Sequence, residues 1–92
     1  MTRCASSVPI QQVAVSAFRI PTDYPESDGT YSWDSTTLVL VEMRAGDEQG
    51  IGYTYADTAT ATLVRDLLAK TVIGRDAMDV PGNWAAMVRA IR

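Results

Sequence analysis

P-T-D-Y-P-E-S-D-G-T-Y-S-W-D-S-T-T-L-V-L-V-E-M, residues 21–43, is the stretch whose reading decides the fold. Its second half is the most strand-like run in the chain. From Thr36 to Met43 the side chains alternate, with Leu38 and Leu40 on one face and Val39, Val41 and Met43 on the other. Its first half is polar, acidic and aromatic. Pro25 and Asp28-Gly29 are turn signals, so Thr22 to Ser35 reads as a loop. A structureless connection of ~14 residues is long for a small domain, and loops of that length tend to be functional lids or disordered.

Two further strands flank this stretch. Gln11 to Ile20 alternates with largely apolar residues on both sides, which predicts a strand with both faces partly covered. Pro21 ends it in this reading, because proline cannot donate to a ladder. Ala45 to Gly50 is a polar reversal containing Gly46, so Ile51 to Ala56 returns antiparallel, with Tyr53 and Tyr55 on the face of Ile51. Asp57 or Thr58 can then cap a helix. Leu63, Val64, Leu67, Leu68 and Val72 form its apolar stripe, Asp66 and Lys70 stand four apart on the other side, and Gly74 ends it. Residues 75–80 read as a connector or one short turn. Pro81 opens a last helix whose stripe is Trp84, Met87, Val88 and Ile91. Strands followed by helices predict an α+β domain: a three-stranded antiparallel meander followed by a helical layer.

The 92 residues allow one domain with one modest core, and a chain of this size hides only about 60–65% of its unfolded surface. Residues 1–9 carry no period and read as a flexible N-terminal arm, with the domain proper at 10–92. The last helix stops at Arg92 in mid-period with no capping residue, which leads us to expect that the domain is cut from a longer polypeptide. Net charge is −3, and the acids concentrate in the first 56 residues, which hold seven of the eleven acids and three of the eight bases. No basic stripe is present, so nucleic acid is not an expected partner. No apolar run is long enough to span a bilayer, and the first ten residues lack a signal core. The single cysteine, Cys4, cannot form a disulfide within the chain, which favours a reducing, cytoplasmic setting.

The chemistry on offer is limited. There is no histidine, which removes the commonest general base and metal ligand. Asp23, Glu26, Asp28 and Asp34 do not match a calcium-loop spacing, and Pro25 interrupts them. They read as a solvated, turn-forming acidic loop, or as a lid that meets a ligand through Thr30, Tyr31 and Trp33. Gly50-Ile51-Gly52 lacks the third glycine of a dinucleotide fingerprint and reads as part of a hairpin. Ser35, Thr36 and Thr37 have no evident base beside them, so a nucleophilic role is not expected. Tyr53 and Tyr55 are the kind of residue that fills a core or interface, yet their place just before a helix also suits lining a site. Trp84 reads as packing.

Three quoted runs, I-P-T-D-Y-P-E-S-D-G-T-Y-S-W-D-S-T-T-L-V-L-V-E, G-I-G-Y-T-Y-A and G-R-D-A-M-D-V-P, fall in an order and spacing that resembles the N-terminal capping domain of the mandelate racemase/muconate lactonizing family of the enolase superfamily. The resemblance covers about residues 10–92. It implies a three-stranded sheet with a helical layer closing over a (β/α)8-type barrel of ~200 or more further residues. In that family the barrel carries Mg²⁺ and the bases that remove a proton next to a carboxylate, and the cap supplies two loops that exclude water and select the substrate. Carried over by position, the first loop is residues 22–34 and the second is 53–55. Asp28, Thr30, Trp33, Tyr53 and Tyr55 then become the expected substrate-facing residues. The implied partners are the barrel of the same polypeptide, a small carboxylate substrate such as a sugar acid or hydroxy acid, and further copies in a homo-oligomer. This chain itself is expected to bind no metal or cofactor and to hold no catalytic group. The other reading of the same residues is a free-standing interaction module whose sheet is covered by a partner.

Overall fold

The computed structural model describes residues 7–27 and 32–92, with the side chains of 22–34 outside the description. Strands β1 (Ile10–Ser27), β2 (Ser32–Ala45) and β3 (Glu48–Tyr55) form one antiparallel sheet in the order β1-β2-β3. A helical run over 58–72 follows, then α3 (Val80–Ile91). The run consists of α1 (Thr58–Leu63), a π-turn (Val64–Leu68) and α2 (Ala69–Val72). The α+β meander with a helical layer is therefore the observed architecture.

The first hairpin corrects the sequence reading. Residues expected as a 14-residue loop are strand through Ser27 and again from Ser32, with Pro21 opposite Ser35, Glu26 opposite Trp33 and Ser27 opposite Ser32. Pro21 does not end β1. It lies on an outer strand, where one side of the backbone has no ladder to supply and a missing N–H costs nothing. The ladder is irregular between Pro21 and Glu26, where more residues sit on β1 than on β2, and there the arm can bend.

The second hairpin is tighter than its polar composition implies. Ala45 pairs with Glu48, so only Gly46 and Asp47 turn. Gly46 has φ 62°, the left-handed value that the first central residue of a type II′ turn needs. A Cβ there would also come within 3.2 Å of Val8 Cγ1.

Register sorts the side chains. Val13, Val15, Ala17, Val39, Val41 and Met43 share the face turned to the helices. Val39 is 1% exposed at its centre. Against this face the helices place mostly small residues: Ala61, Ala69 and Val72 are buried, as is Ala86 of α3. The π-turn rotates the expected Leu63 to Leu68 stripe, so that Leu63 emerges into solvent and no residue of the turn is fully buried. Asp66, expected to face Lys70, instead meets its neighbour Arg65 at 3.0 Å. Helix α3 also departs from expectation. Its buried side is Asn83 and Ala86, and Trp84, expected to pack, is 65% exposed.

The connector ties the ends together. Ile10 N–H donates to Arg75 C=O, Gly74 N–H donates to Ile10 C=O and Ala77 N–H donates to Val8 C=O, each at 2.8 Å. The last residues of the expected arm, Val8 and Pro9, thus lie paired along 74–77. Asn83 fastens α3 to the same connector. Its Nδ2 donates to Asp76 C=O at 2.9 Å, and its Oδ1 accepts from Arg75 Nε at 2.7 Å. Gly74, with φ 89°, ends the helical run as expected.

Two substitutions test this description by urea denaturation. Val39→Ala should cost about 2 kcal/mol, through a cavity at the most enclosed point of the core. Asn83→Ala should cost about 1–2 kcal/mol, because it removes one of the hydrogen bonds to the Asp76 carbonyl and one of those from the Arg75 guanidinium.

Candidate functional site

The described parts of the two segments singled out for function lie toward the same end of the sheet. β3 stops at Tyr55, opposite Leu38, and Ala56 N–H closes the ladder on Thr37 C=O at 3.1 Å. β1 and β2 run on without β3, paired as far as Ser27 and Ser32. At ~3.4 Å per residue this two-stranded arm extends about 20 Å beyond the third strand. The step where β3 stops forms an open notch of about 330 Å³, lined by Ser35, Thr36, Thr37, Tyr55, Ala56 and Asp57.

The lining is rich in hydroxyl groups. Three come from β2 and one from Tyr55, and each can both donate and accept. Ser35 Oγ also accepts from Arg19 Nε at 3.1 Å, across the β1–β2 pair. Asp57 has a fixed structural duty. Its Oδ2 accepts from Ala59 N–H at 3.1 Å, and its backbone carbonyl accepts from Thr60 N–H at 2.9 Å. The carboxylate that caps α1 is therefore also a wall of the notch.

Tyr53 and Tyr55 stand on the open face of the sheet at 66% and 64% exposure. Their rings meet edge to face, with centroids 6.2 Å apart. Tyr55 lines the notch and Tyr53 does not. Phe18, Ile20 and Ile51 lie on the same open face and are exposed too. The expectation that both faces of the first strand are covered does not hold there.

Of the other expected substrate-facing residues, Asp28 and Thr30 lie outside the described residues, and Trp33 is placed in β2 opposite Glu26 without a described side chain. The sequence reading considered Ser35, Thr36 and Thr37 only as nucleophiles and Asp57 only as a cap. Their meeting with Tyr55 follows from register, which a two-residue turn at Gly46-Asp47 would have given. Among the described residues, no three histidine, cysteine, aspartate or glutamate side chains converge. No described helix is long and apolar enough to cross a membrane.

Comparison with solved structures places this geometry. A mandelate racemase/muconate lactonizing enzyme-like protein from Rubrobacter xylanophilus matches 91% of this chain at 49% identity and a TM-score of 0.88, over 23% of its own chain. A racemase from Streptomyces coelicolor, solved with bound magnesium, matches 89% at 28% identity and a TM-score of 0.85, over 25% of its chain. Muconate lactonizing enzyme from Pseudomonas fluorescens, complexed with muconolactone, shares the fold at 20% identity and a TM-score of 0.84, with 95% of this chain covering 26% of that one. The chain thus spans about a quarter of the length of the structures it matches. No protein-family model and no curated protein matches it.

The duties of the notch residues separate by stability. Asp57→Ala should cost about 1 kcal/mol, and Asp57→Asn much less, because asparagine still caps. Tyr55→Ala should cost about 1 kcal/mol or less, since its ring faces solvent. Thermal melts followed by circular dichroism read all three, and a large loss on Tyr55→Ala would show that the ring is structural.

Proposed function

We propose, for a chain that carries the N-terminal-domain fold of the enolase superfamily and resembles the mandelate racemase/muconate lactonizing proteins, that it is the substrate-capping and specificity domain of such an enzyme. The observation that supports this reading is the coincidence at one end of the sheet. The start of β2 and the β3–α1 junction are separate in sequence, and register brings them to a single notch whose lining includes the exposed Tyr55 and the half-buried Ser35, Thr36 and Thr37. A surface of that form suits closing over a small polar molecule held by another body. Such closure removes water and orients the ligand.

In this reading the other body is a (β/α)-barrel of the same polypeptide. It would carry the bases and an Mg²⁺ that favours loss of the proton next to the substrate carboxylate. The chain described here contributes contacts only. Ser35, Thr36, Thr37 and Tyr55 would hold hydroxyl groups of the substrate, which favours a sugar acid or another hydroxy acid over an apolar one. The reaction would be a dehydration or a racemisation. Tyr53 would support the Tyr55 ring through their edge contact. Asp28, Thr30 and Trp33 stay in this reading as proposed substrate contacts.

A second reading has its own support: the exposed Phe18, Ile20, Ile51, Tyr53 and Tyr55 on one sheet face also suit an interaction module. Contiguous apolar surface of this kind marks a binding face. The two readings part on catalysis.

The test replaces the matching quarter of the Rubrobacter xylanophilus protein with residues 10–92 of this chain, once assay has identified an acid that the Rubrobacter protein turns over. A folded chimera should retain turnover, and Tyr55→Ala should lower its kcat/KM by about tenfold or more. The 92-residue chain alone should turn over nothing. A folded chimera without activity, or one indifferent to Tyr55 and to the notch hydroxyls, would count against the capping role.

A further inference from the structure

Arg19 has no duty in the fold or in the capping role, yet it touches the notch. It is the one charged residue between Ile10 and Pro21, in a strand otherwise built of apolar and neutral side chains. It stands opposite Thr37 in the β1–β2 ladder. Its side chain crosses diagonally to the next residue on that face of β2, where Nε donates to Ser35 Oγ at 3.1 Å. Thr37 and Ser35 both line the notch. Arg19 is exposed. Among the described residues no other basic side chain bonds to a residue of the notch, and no carboxylate forms an ion pair with Arg19.

The neutral partner matters. Ser35 fixes the guanidinium through one nitrogen and leaves its charge uncancelled. The terminal nitrogens Nη1 and Nη2 then offer the planar fork that suits the paired oxygens of a carboxylate or a phosphate. Ser35 gives one lone pair to Arg19 and keeps its own proton for an acceptor on a ligand. The wall from the β3–α1 junction has the opposite sign. Asp57 lines the notch there, with Oδ2 engaged by Ala59 N–H. Its carboxylate repels an anion and accepts from a hydroxyl group. The notch is therefore polarised, cationic toward β1 and acidic toward α1.

We propose that Arg19, held by Ser35, receives a second anionic group of the substrate, at the end remote from the carboxylate beside the departing proton. The inference rests on the capping role and sharpens its substrate class to a hydroxy acid charged at both ends. The remote group is a carboxylate or a phosphate ester, and Asp57 takes a hydroxyl group of the same molecule. Selection follows from closure. A cap that shuts over a neutral end strips water from a guanidinium with no anion to meet it, and an unpaired charge out of water is costly. Arg19 thus both favours the doubly charged acid and rejects the singly charged one.

The chimera described above tests this with gluconate, glucarate and 6-phosphogluconate. These acids differ at the remote end, which is an alcohol, a carboxylate or a phosphate ester. Each is measured as a substrate, or as a competitive inhibitor of the acid that the chimera turns over. Arg19→Gln should weaken glucarate or 6-phosphogluconate by about tenfold or more, through KM or Ki, and gluconate by much less. Arg19→Lys should recover part of the loss, since the charge returns without the fork. Whichever charged acid is affected identifies the remote group. Circular dichroism should show an intact fold, because Arg19 is exposed. An equal loss on all three acids overturns the proposal and assigns Arg19 to a contact with the barrel. So does a chimera whose ranking of the three acids ignores Arg19→Gln while its turnover still depends on Tyr55. Failure of the capping role looks different: a folded chimera inactive on every acid, or indifferent to Tyr55→Ala, and the Arg19 site falls with it.

Discussion

The left-handed turn at Gly46 sets where everything at the functional end of the sheet stands. With two residues turning, Ala45 faces Glu48, and the pairing then counts down without interruption to Leu38 and Tyr55. The same count puts Thr36 and Thr37 beside Ala56 and Asp57, which is the notch. A slip of one residue would move Tyr53 and Tyr55 to the helix-covered face and drive Gly50 and Gly52 onto the open one. The position of the candidate site is thus decided at the opposite end of the hairpin, by a residue that touches no part of it.

The register also explains why so much apolar surface stays outside. The sheet gives the helices a face of valines and one methionine, and the helices answer largely with alanine. Among the described residues the buried apolar positions are Ile10, Val39, Ala61, Ala69, Val72 and Ala86. Small residues allow close approach but bury little area each, and hydrophobic stabilisation scales with area. The larger side chains (Trp84, Tyr53, Tyr55, Ile51, Phe18) go to two separate outer surfaces. One is the outer side of α3 and the other is the open face of the sheet. Exposed apolar surface of this kind is characteristic of a contact face.

The β1–β2 arm follows the same logic. Two strands without a third are only marginally stable in water, so an arm of this length suits lying against another surface. Proline at position 21 is tolerated because β1 is an outer strand. A fourth strand could not add there without meeting the missing donor. The connector 74–77 occupies the beginning of the same strand through Val8, Pro9 and Ile10. Both ends of β1 are therefore managed, one by pairing and one by proline.

Local periodicity in the sequence determined the three strands, their antiparallel order, the helical run, its stop at Gly74 and the entry of α3 at Pro81. These depend on alternation, backbone geometry and missing donors, all of which are local. The identity of Tyr53 and Tyr55 as neighbours on one face was legible for the same reason. The length of the first hairpin was not, because prolines such as Pro21 and Pro25 can also sit in an outer strand once a partner strand holds them. The stripe of α3 was misread because periodicity shows that a helix has an apolar side, not which side the rest of the domain covers. Only the tertiary structure decided that Asn83 and Ala86 turn inward while Trp84 turns out. Only the register of the β2–β3 hairpin decided that Ser35, Thr36, Thr37, Tyr55 and Asp57 share a notch, since the folded backbone fixes how many residues turn at Gly46-Asp47 and hence which residues pair.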